Sequence, residues 1–313
     1  MSEDGTVEIE GRKMRYIDPL TDWGFKRLFG SEMNKEILLG FLQDLFPEKD
    51  IRDISYLGNE NAGATSGDRK AVFDVSCRTE KGEEFIVEMQ KAPQEYFRDR
   101  ALYYSTFPLQ RQAPKGDWDF RLTPVYMVGI LNFGLVHNVR DELREKVREM
   151  RVFRYELTET TLGERMTDNL AFVFLELERF GKSEDGLETM LDKWMYVLKN
   201  LSRLTERPVE LQERIFRRLF EAARIAAFTR EELDEYTNDM MTENDRRNAI
   251  DYARKQGRAE GLAEGRTEGI LEGRAEGEMV GKLSVARRML AAGLDPKMIS
   301  EMTGLAEPEI RGL

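Results

Sequence analysis

Histidine and cysteine are almost absent from this chain of 313 residues, each occurring once, as His137 and Cys77. One histidine excludes multi-histidine metal centres, and one cysteine excludes an internal disulfide and agrees with a reducing compartment. A Cys77–His137 nucleophile pair is conceivable, but a lone cysteine in a strand-like run reads first as a small core residue. The Gly-rich phosphate loops GxxxxGK[ST] and GxGxxG are missing, so nothing supports nucleotide cradling. No apolar window reaches the length of a membrane span. The N-terminal "MSEDGTVEIEGRKM" has no apolar h-region, so neither secretion nor a membrane partner is expected and a cytoplasmic protein is. What these absences leave is carboxylate chemistry with a hard divalent cation such as Mg²⁺.

Hydrophobic residues make up 41% of the chain, enough for a full core. The net charge of −11 argues mildly against a protein that coats nucleic acid, but a global sign says little about a local surface. Residues 91–115 hold five cations against two acids. Arg98, Arg100 and Arg111 within that stretch are candidate contacts to a DNA backbone. A solvated helix face is the alternative.

Periodicity outlines an α/β organisation. Ile37, Leu38, Phe41, Leu42 and Leu45 share one face of a helix that must stop before Pro47. "IRDISYLG" reads as a strand and "NENAGATSGD" as a loop. Residues 94–112 read as a helix with Phe97, Leu102 and Tyr104 as its contacts. "TPVYMVGILNF" (123–133) is a continuous apolar run, as in a central strand covered on both faces. "VFRYELTE" and "LAFVFLELERF" are further strands, and residues 186–228 return to helical periodicity. Interleaved strands and helices predict a mixed sheet flanked by helices in a domain spanning residues 1–230.

Beyond that domain, glycine recurs every fourth residue from Gly257 to Gly281. Seven glycines cost a helix roughly 5–7 kcal/mol relative to alanine. Glu260, Glu264, Glu268, Glu272 and Glu276 form a row of like charges at i, i+4, unfavourable within one helix. An opposing Arg258, Arg266 and Arg274 row on a second helix would resolve the conflict, and the glycines would admit a close approach. Residues 231–281 are therefore expected to be a self-association helix giving a homo-oligomer, with a flexible tether as the alternative. Residues 282–313 show helix–Gly–helix punctuation resembling a small helix-turn-helix, "AGLDPKMISEMTGLAEPEI".

The chemistry concentrates in "FDVSCRTEKGEEFIVEMQ" (73–90), two apolar runs about a turn in which Gly82 can take a positive φ. Each run carries one acid, Asp74 and Glu88. Side chains alternate along a strand, so Glu88 and Gln90 project together, as do Lys70 and Asp74 if the strand is regular from residue 70. With those faces aligned, Asp74 and Glu88 could hold one cation, the Met89 carbonyl being a third oxygen ligand. Exposed acids on an ordinary hairpin are the competing explanation.

Several ordered segments carry a family resemblance: "DWGFKRLFG", "NKEILLGFLQDLF", "DRKAVFDVSCRTEKGEEFIVEMQ", "RDRALYYSTFPLQRQ", "LELERF", "DKWMYVLKN" and the C-terminal "EGxxEG" repeat. The chain resembles the PD-(D/E)XK nuclease family transposases, the Rpn recombination-promoting group. That resemblance implies a restriction-endonuclease-like core cutting DNA with a divalent metal. It makes Asp74 and Glu88 the metal acids and puts Gln90 where the wider superfamily has lysine. It also assigns Asp22 and Lys26 to an N-terminal motif, for which a helix N-cap and a solvated lysine are the alternative, and makes Glu36 a candidate third metal acid. Gln90 orients water but supplies no charge, and Lys70 is the expected source of it.

The expected function is thus a Mg²⁺-dependent DNA endonuclease, recombination-promoting or associated with a mobile element. A catalytically degenerate fold that assembles on DNA or protein, and a nuclease directed at RNA, are the alternatives. No residues resembling a strand-transfer centre support the transposase label itself.

Overall fold

The structure is a computed structural model that describes residues 6–9, 11–61, 71–113 and 116–313. It divides into two compact units, Met1–Glu243 and Asn244–Leu313.

The larger unit begins with a hairpin, β1 (Val7–Ile9) and β2 (Arg12–Met14), followed by helices α1 (Asp22–Phe29) and α2 (Lys35–Leu45). Next come β3 (Ile54–Tyr56) and a small ladder of β4 (Glu60–Asn61) with β5 (Ala71–Val72). The chain then runs through β6 (Val75–Thr79), β7 (Glu84–Gln90), α3 (Phe97–Arg111), β8 (Val125–Leu131), α4 (Arg144–Glu149), β9 (Val152–Glu156) and β10 (Leu170–Glu176). Helices α5 (Met190–Asn200) and α6 (Arg214–Ala222) close the unit together with the first turns of α7 (Arg230–Ala291).

Six strands form one mixed sheet in the order β3-β6-β7-β8-β10-β9. Strands β7, β8 and β10 are mutually parallel and form its centre; β3, β6 and β9 pair antiparallel. All seven residues of β8 are buried, as its unbroken apolar run demands of a strand covered on both faces. Alternation along β7 sorts its side chains. Phe85, Val87 and Met89 enter the large core under α1, α2, α5 and α6. Ile86 joins a second core with Phe97, Ala101 and Phe107 of α3. The β6–β7 connection turns at Gly82, whose φ of +87° lies in the region that favours glycine.

Most expected elements are present, with two local corrections. In α3, Leu102 faces solvent rather than the core. The helix packs through Phe97, Ala101, Ser105 and Pro108, one turn apart, and Leu102 falls beside that stripe. The run before Asp74 is not one regular strand either: β5 ends at Val72 and pairs with β4, and the chain bends before β6 begins at Val75. That bend removes the alternation on which Lys70 was aligned with Asp74. Lys70 itself, like most of the "NENAGATSGD" loop, lies outside the described residues.

The first turns of α7 are fastened to α1. Tyr236 and Met240 are buried in the large core, and Arg27 pairs with Glu232 at 2.5 Å. Two bonds add to this: Trp23 Nε1 donates to Glu235 and the Trp23 amide to Asp239, each at 2.9 Å.

In the smaller unit, α7 continues through the glycine repeat as helix and is followed by α8 (Pro296–Thr303) and α9 (Glu307–Arg311). Ala286, Ile299, Leu305 and Ile310 form its core. A Cβ placed on any of the seven repeat glycines would meet nothing within 4 Å.

Candidate active site

The β6–β7 ladder has its last pair at Val75 and Val87. One step further, carboxylates take over the role of the ladder. The Asp74 amide donates to Glu88 Oε1 at 3.1 Å, and the Met89 amide donates to Asp74 Oδ2 at 2.8 Å. Each acid is therefore held by the backbone of the other's neighbourhood. The second oxygens, Asp74 Oδ1 and Glu88 Oε2, receive no hydrogen bond among the described residues, and Glu88 Oε2 faces Arg100. Asn59 Nδ2 fixes the bend by donating to the Asp74 carbonyl at 3.0 Å.

Glu88 is 2% exposed and projects toward α3. Its neighbour across the parallel ladder is Gly129. A Cβ there would come within 2.9 Å of Phe174 and 3.0 Å of Phe97, so the glycine lets α3 lie close against the sheet beside Glu88.

Burial dominates the electrostatics of this pair. It lifts the Glu88 carboxyl to about 8, and the Asp74 charge adds to the effect. It lifts Asp74 to about 6, with Asp22 adding repulsion and the Met89 N–H opposing. Arg100 and Lys26 pull both carboxyls back down. Two neighbouring acids, one buried and one half-buried, with so little compensating charge are poised to gain from a cation.

Arg100 is the cation nearest Glu88, its Nη2 lying 3.6 Å from Oε2. Its guanidinium rests over the rings of Phe97 and Tyr104 at 5.6 and 5.5 Å. The Nε and Nη2 atoms are buried and make no hydrogen bond among the described residues. Such donors are costly to leave unmet and are common at functional sites.

The remaining candidates divide into those brought near the pair and those held elsewhere. Asp22 and Lys26 form an ion pair of 2.8 Å on α1 and act electrostatically on Asp74. Thr21, not Asp22, caps that helix, its Oγ1 accepting from the Gly24 amide. Gln90 ends β7, half-buried, on the same face as Glu88. The Met89 amide points toward Asp74, and in an extended strand the carbonyl of the same residue points to the same side. Lys91 pairs with Asp18 at 3.0 Å, tying the end of β7 to the segment before α1.

Glu36, in contrast, faces Arg214 and Arg218 at 3.4 and 3.5 Å, with no contact to Asp74 or Glu88 among the described residues. Arg111 turns inward to buried Glu84 at 2.9 Å, opposite Arg78 at 2.7 Å. Arg98 donates to the Val136 carbonyl. Cys77 is buried in the large core, and His137 pairs with Glu176 at 2.7 Å while stacking on Phe153, so the two form no nucleophile pair. Among the described residues no three His, Cys, Asp or Glu side chains converge as a metal set.

Sequence reasoning missed the pairing of Arg100 with Glu88. One signal was legible: Arg100 lies three residues after Phe97 and four before Tyr104, at the margin of the buried stripe of α3. The buried Glu176, which also pairs with Arg179, carried no signal, because its strand reads as uniformly apolar up to that residue.

Comparison with known proteins agrees with this geometry. The family model for PD-(D/E)XK nuclease family transposase matches residues 19–253, which include the whole sheet and every element of the site. The model for the C-terminal HTH domain of the Rpn/YhgA-like nuclease family matches residues 280–313, the segment of α8 and α9. No curated protein and no solved structure matches the chain. A mixed sheet whose hairpin presents Asp74 and Glu88 side by side, within a match covering most of the chain, places this protein in the PD-(D/E)XK nuclease family transposases.

Proposed function

We propose that the protein is an endonuclease that hydrolyses DNA phosphodiester bonds with the help of a divalent cation such as Mg²⁺. The observation that carries this reading is the Asp74–Glu88 pair: two adjacent carboxylates, half-buried Asp74 and buried Glu88, each anchored through one oxygen by a backbone N–H. The donor set fits a hard cation, because oxygen ligands from two carboxylates and the Met89 carbonyl leave places for water and a phosphate oxygen. When bound there, the cation supplies a lowered pKa for the attacking water and charge neutralisation at the phosphate.

The chain's own residues do the rest. The Asp74 and Met89 amides hold the two acids in register one step beyond the last pair of the ladder. Gln90, on the Glu88 face, orients the water by hydrogen bonding but brings no charge. Arg100 supplies the positive charge that the wider superfamily draws from lysine, using the guanidinium Nε and Nη2, which make no hydrogen bond among the described residues. Water adds to phosphorus and gives up one proton to solvent, the bond to the leaving oxygen breaks, and that oxygen takes up a proton from solvent. Asp22 and Lys26 tune the charge at the rim.

The C-terminal α8–α9 module is proposed to contact DNA, and the glycine-repeat helix to pair with a second copy of the chain. The open space around every repeat glycine supports the second idea, since no packing among the described residues accounts for them.

Cleavage assays test the reading. Purified protein is incubated with supercoiled plasmid, single-stranded DNA and RNA in Mg²⁺, Ca²⁺ or chelator. The expected result is DNA cleavage in Mg²⁺ that Asp74→Ala abolishes. Arg100→Met is expected to slow cleavage on the order of 10²-fold, the cost of one lost transition-state contact. If Lys70→Met instead has that effect and Arg100→Met none, the charge comes from Lys70. Cleavage of nothing, with wild type matching Asp74→Ala, would make the protein a nucleic-acid- or protein-binding scaffold on a nuclease fold.

A further inference from the structure

A second concavity adjoins the acid pair. It lies at the start of α3, has a volume of about 720 Å³, and its walls include Tyr96, Tyr103, Tyr104, Glu95, Asp99 and Arg100. Arg100 belongs to both places: it lines this pocket and stands 3.6 Å from Glu88.

The pocket has an unusual chemistry for the edge of a phosphodiesterase site. Three of its side chains are tyrosines, of which Tyr96 is 67% and Tyr103 42% exposed. Tyr104 leans on Phe73 and carries the Arg100 guanidinium over its ring. Tyr103 stands edge-on to Phe107 at 5.1 Å. Partly exposed aromatic rings lining a concavity are a stacking surface for a flat, uncharged group. Glu95 and Asp99 set two carboxylates against the single Arg100 guanidinium in this lining, a balance that disfavours a phosphate inside it. The acids offer acceptors while Gln94, Arg100 and the tyrosine hydroxyls offer donors, so a ligand edge with both donors and acceptors is met. A nucleobase meets these conditions. It meets them only if it is unpaired, since base pairing hides both its faces in the stack and its donors in the pair.

We propose that this pocket receives one unpaired nucleobase of the strand being cut, next to the scissile phosphate, which makes single-stranded or splayed DNA the substrate class. The inference rests on the nuclease reading of the Asp74–Glu88 site and deepens it. The strand's phosphate meets Arg100 and the acid pair, while the adjoining base turns into the tyrosine pocket.

Binding, measured apart from cleavage, separates the two ideas. The full chain carrying Asp74→Asn is titrated with a short single-stranded oligodeoxynucleotide containing 2-aminopurine, beside an oligonucleotide abasic at the same position and a duplex. The expected result is quenching of the 2-aminopurine emission on binding and weaker binding of both the abasic strand and the duplex. Adding Tyr103→Ala should weaken binding of the single strand on the order of tenfold and abolish the quenching. Tyr103→Phe should restore both, since stacking needs the ring and not the hydroxyl. Circular dichroism melting of Tyr103→Ala checks that the fold is intact, and Tyr96→Ala gives an independent removal of a more exposed ring. The proposal is overturned if the tyrosine variants bind the strand as tightly as their parent, if the abasic strand binds equally well, or if no single strand is bound. If base stacking is seen but wild-type protein cuts nothing in Mg²⁺, the pocket stands and the nuclease reading falls.

Discussion

Replacing either acid of the buried pair by its amide should stabilise the cation-free protein. Glu88→Gln keeps the shape and keeps an oxygen to accept from the Asp74 amide, and Asp74→Asn does the same for the Met89 amide. What each removes is a charge that burial disfavours. Glu88 is lifted from 4.5 to about 8 and Asp74 from 3.8 to about 6. Raised acids favour the protonated folded state, so the stability linked to them is fully present below about pH 4 and is lost as the pH rises through about 6 and then about 8. Each pH step of displacement is worth about 1.4 kcal/mol, so at pH 8 a single amide substitution should add roughly 2–4 kcal/mol. For a unit of this size that corresponds to a rise of about 5–10 °C in melting temperature. Thermal unfolding in chelator at pH 5 and pH 8 reads the effect. The gain should be large at pH 8 and shrink to about 1–2 kcal/mol at pH 5. An amide variant less stable than wild type at both pH values would refute the claim that the pair is an under-compensated charge site.

Three further outcomes follow from particular contacts. Gly129→Ala should cost about 1–3 kcal/mol, because its Cβ would press on Phe97 and Phe174, and it should lower cleavage by moving α3 and Arg100; melting and plasmid cleavage read the two effects. Burial pushes the Cys77 thiol up to about 12, so iodoacetamide at pH 8 should leave it unmodified in the folded chain and alkylate it in denaturant, as mass spectrometry would show. A chain ended after residue 256 should sediment as a monomer where the full chain sediments as an oligomer, and an unchanged oligomeric state would remove the proposed role of the glycine-repeat helix.

Much of the fold was legible because its signals are local. The apolar run at Val125–Leu131, the one-faced helix ending before Pro47 and the Gly82 turn each follow from composition and period alone. In the site, the alternation that puts Glu88 and Gln90 on one face survived, since β7 is regular throughout. The placement of Asp74 survived for a different reason. A bend breaks the strand just before it, yet its side chain is recaptured by the Met89 amide. No pattern in the segment 70–74 announces that bend. Contacts between distant elements were the other blind spot. Arg100 to Glu88, Glu36 to Arg214 and Arg218, and Arg111 to Glu84 depend on how α3 and α6 pack, and a surface charge and a buried ion pair look the same in sequence. The glycine repeat also shows the limit of intrinsic propensity, as it lies within one continuous helix despite seven poor helix formers.

The most direct test of the account is calorimetric titration of the chelator-treated full chain with Mg²⁺ or Mn²⁺ in buffers of different ionisation enthalpy at pH 7. If Asp74 and Glu88 form a cation site with raised carboxyls, the ion must displace protons from them, and the buffer dependence will report proton release on binding. The account predicts one saturable site with net proton release, lost in Asp74→Asn and in Glu88→Gln and retained in Glu36→Gln. A wild-type chain that binds no cation, or that binds it equally well when both acids are amides, would contradict it.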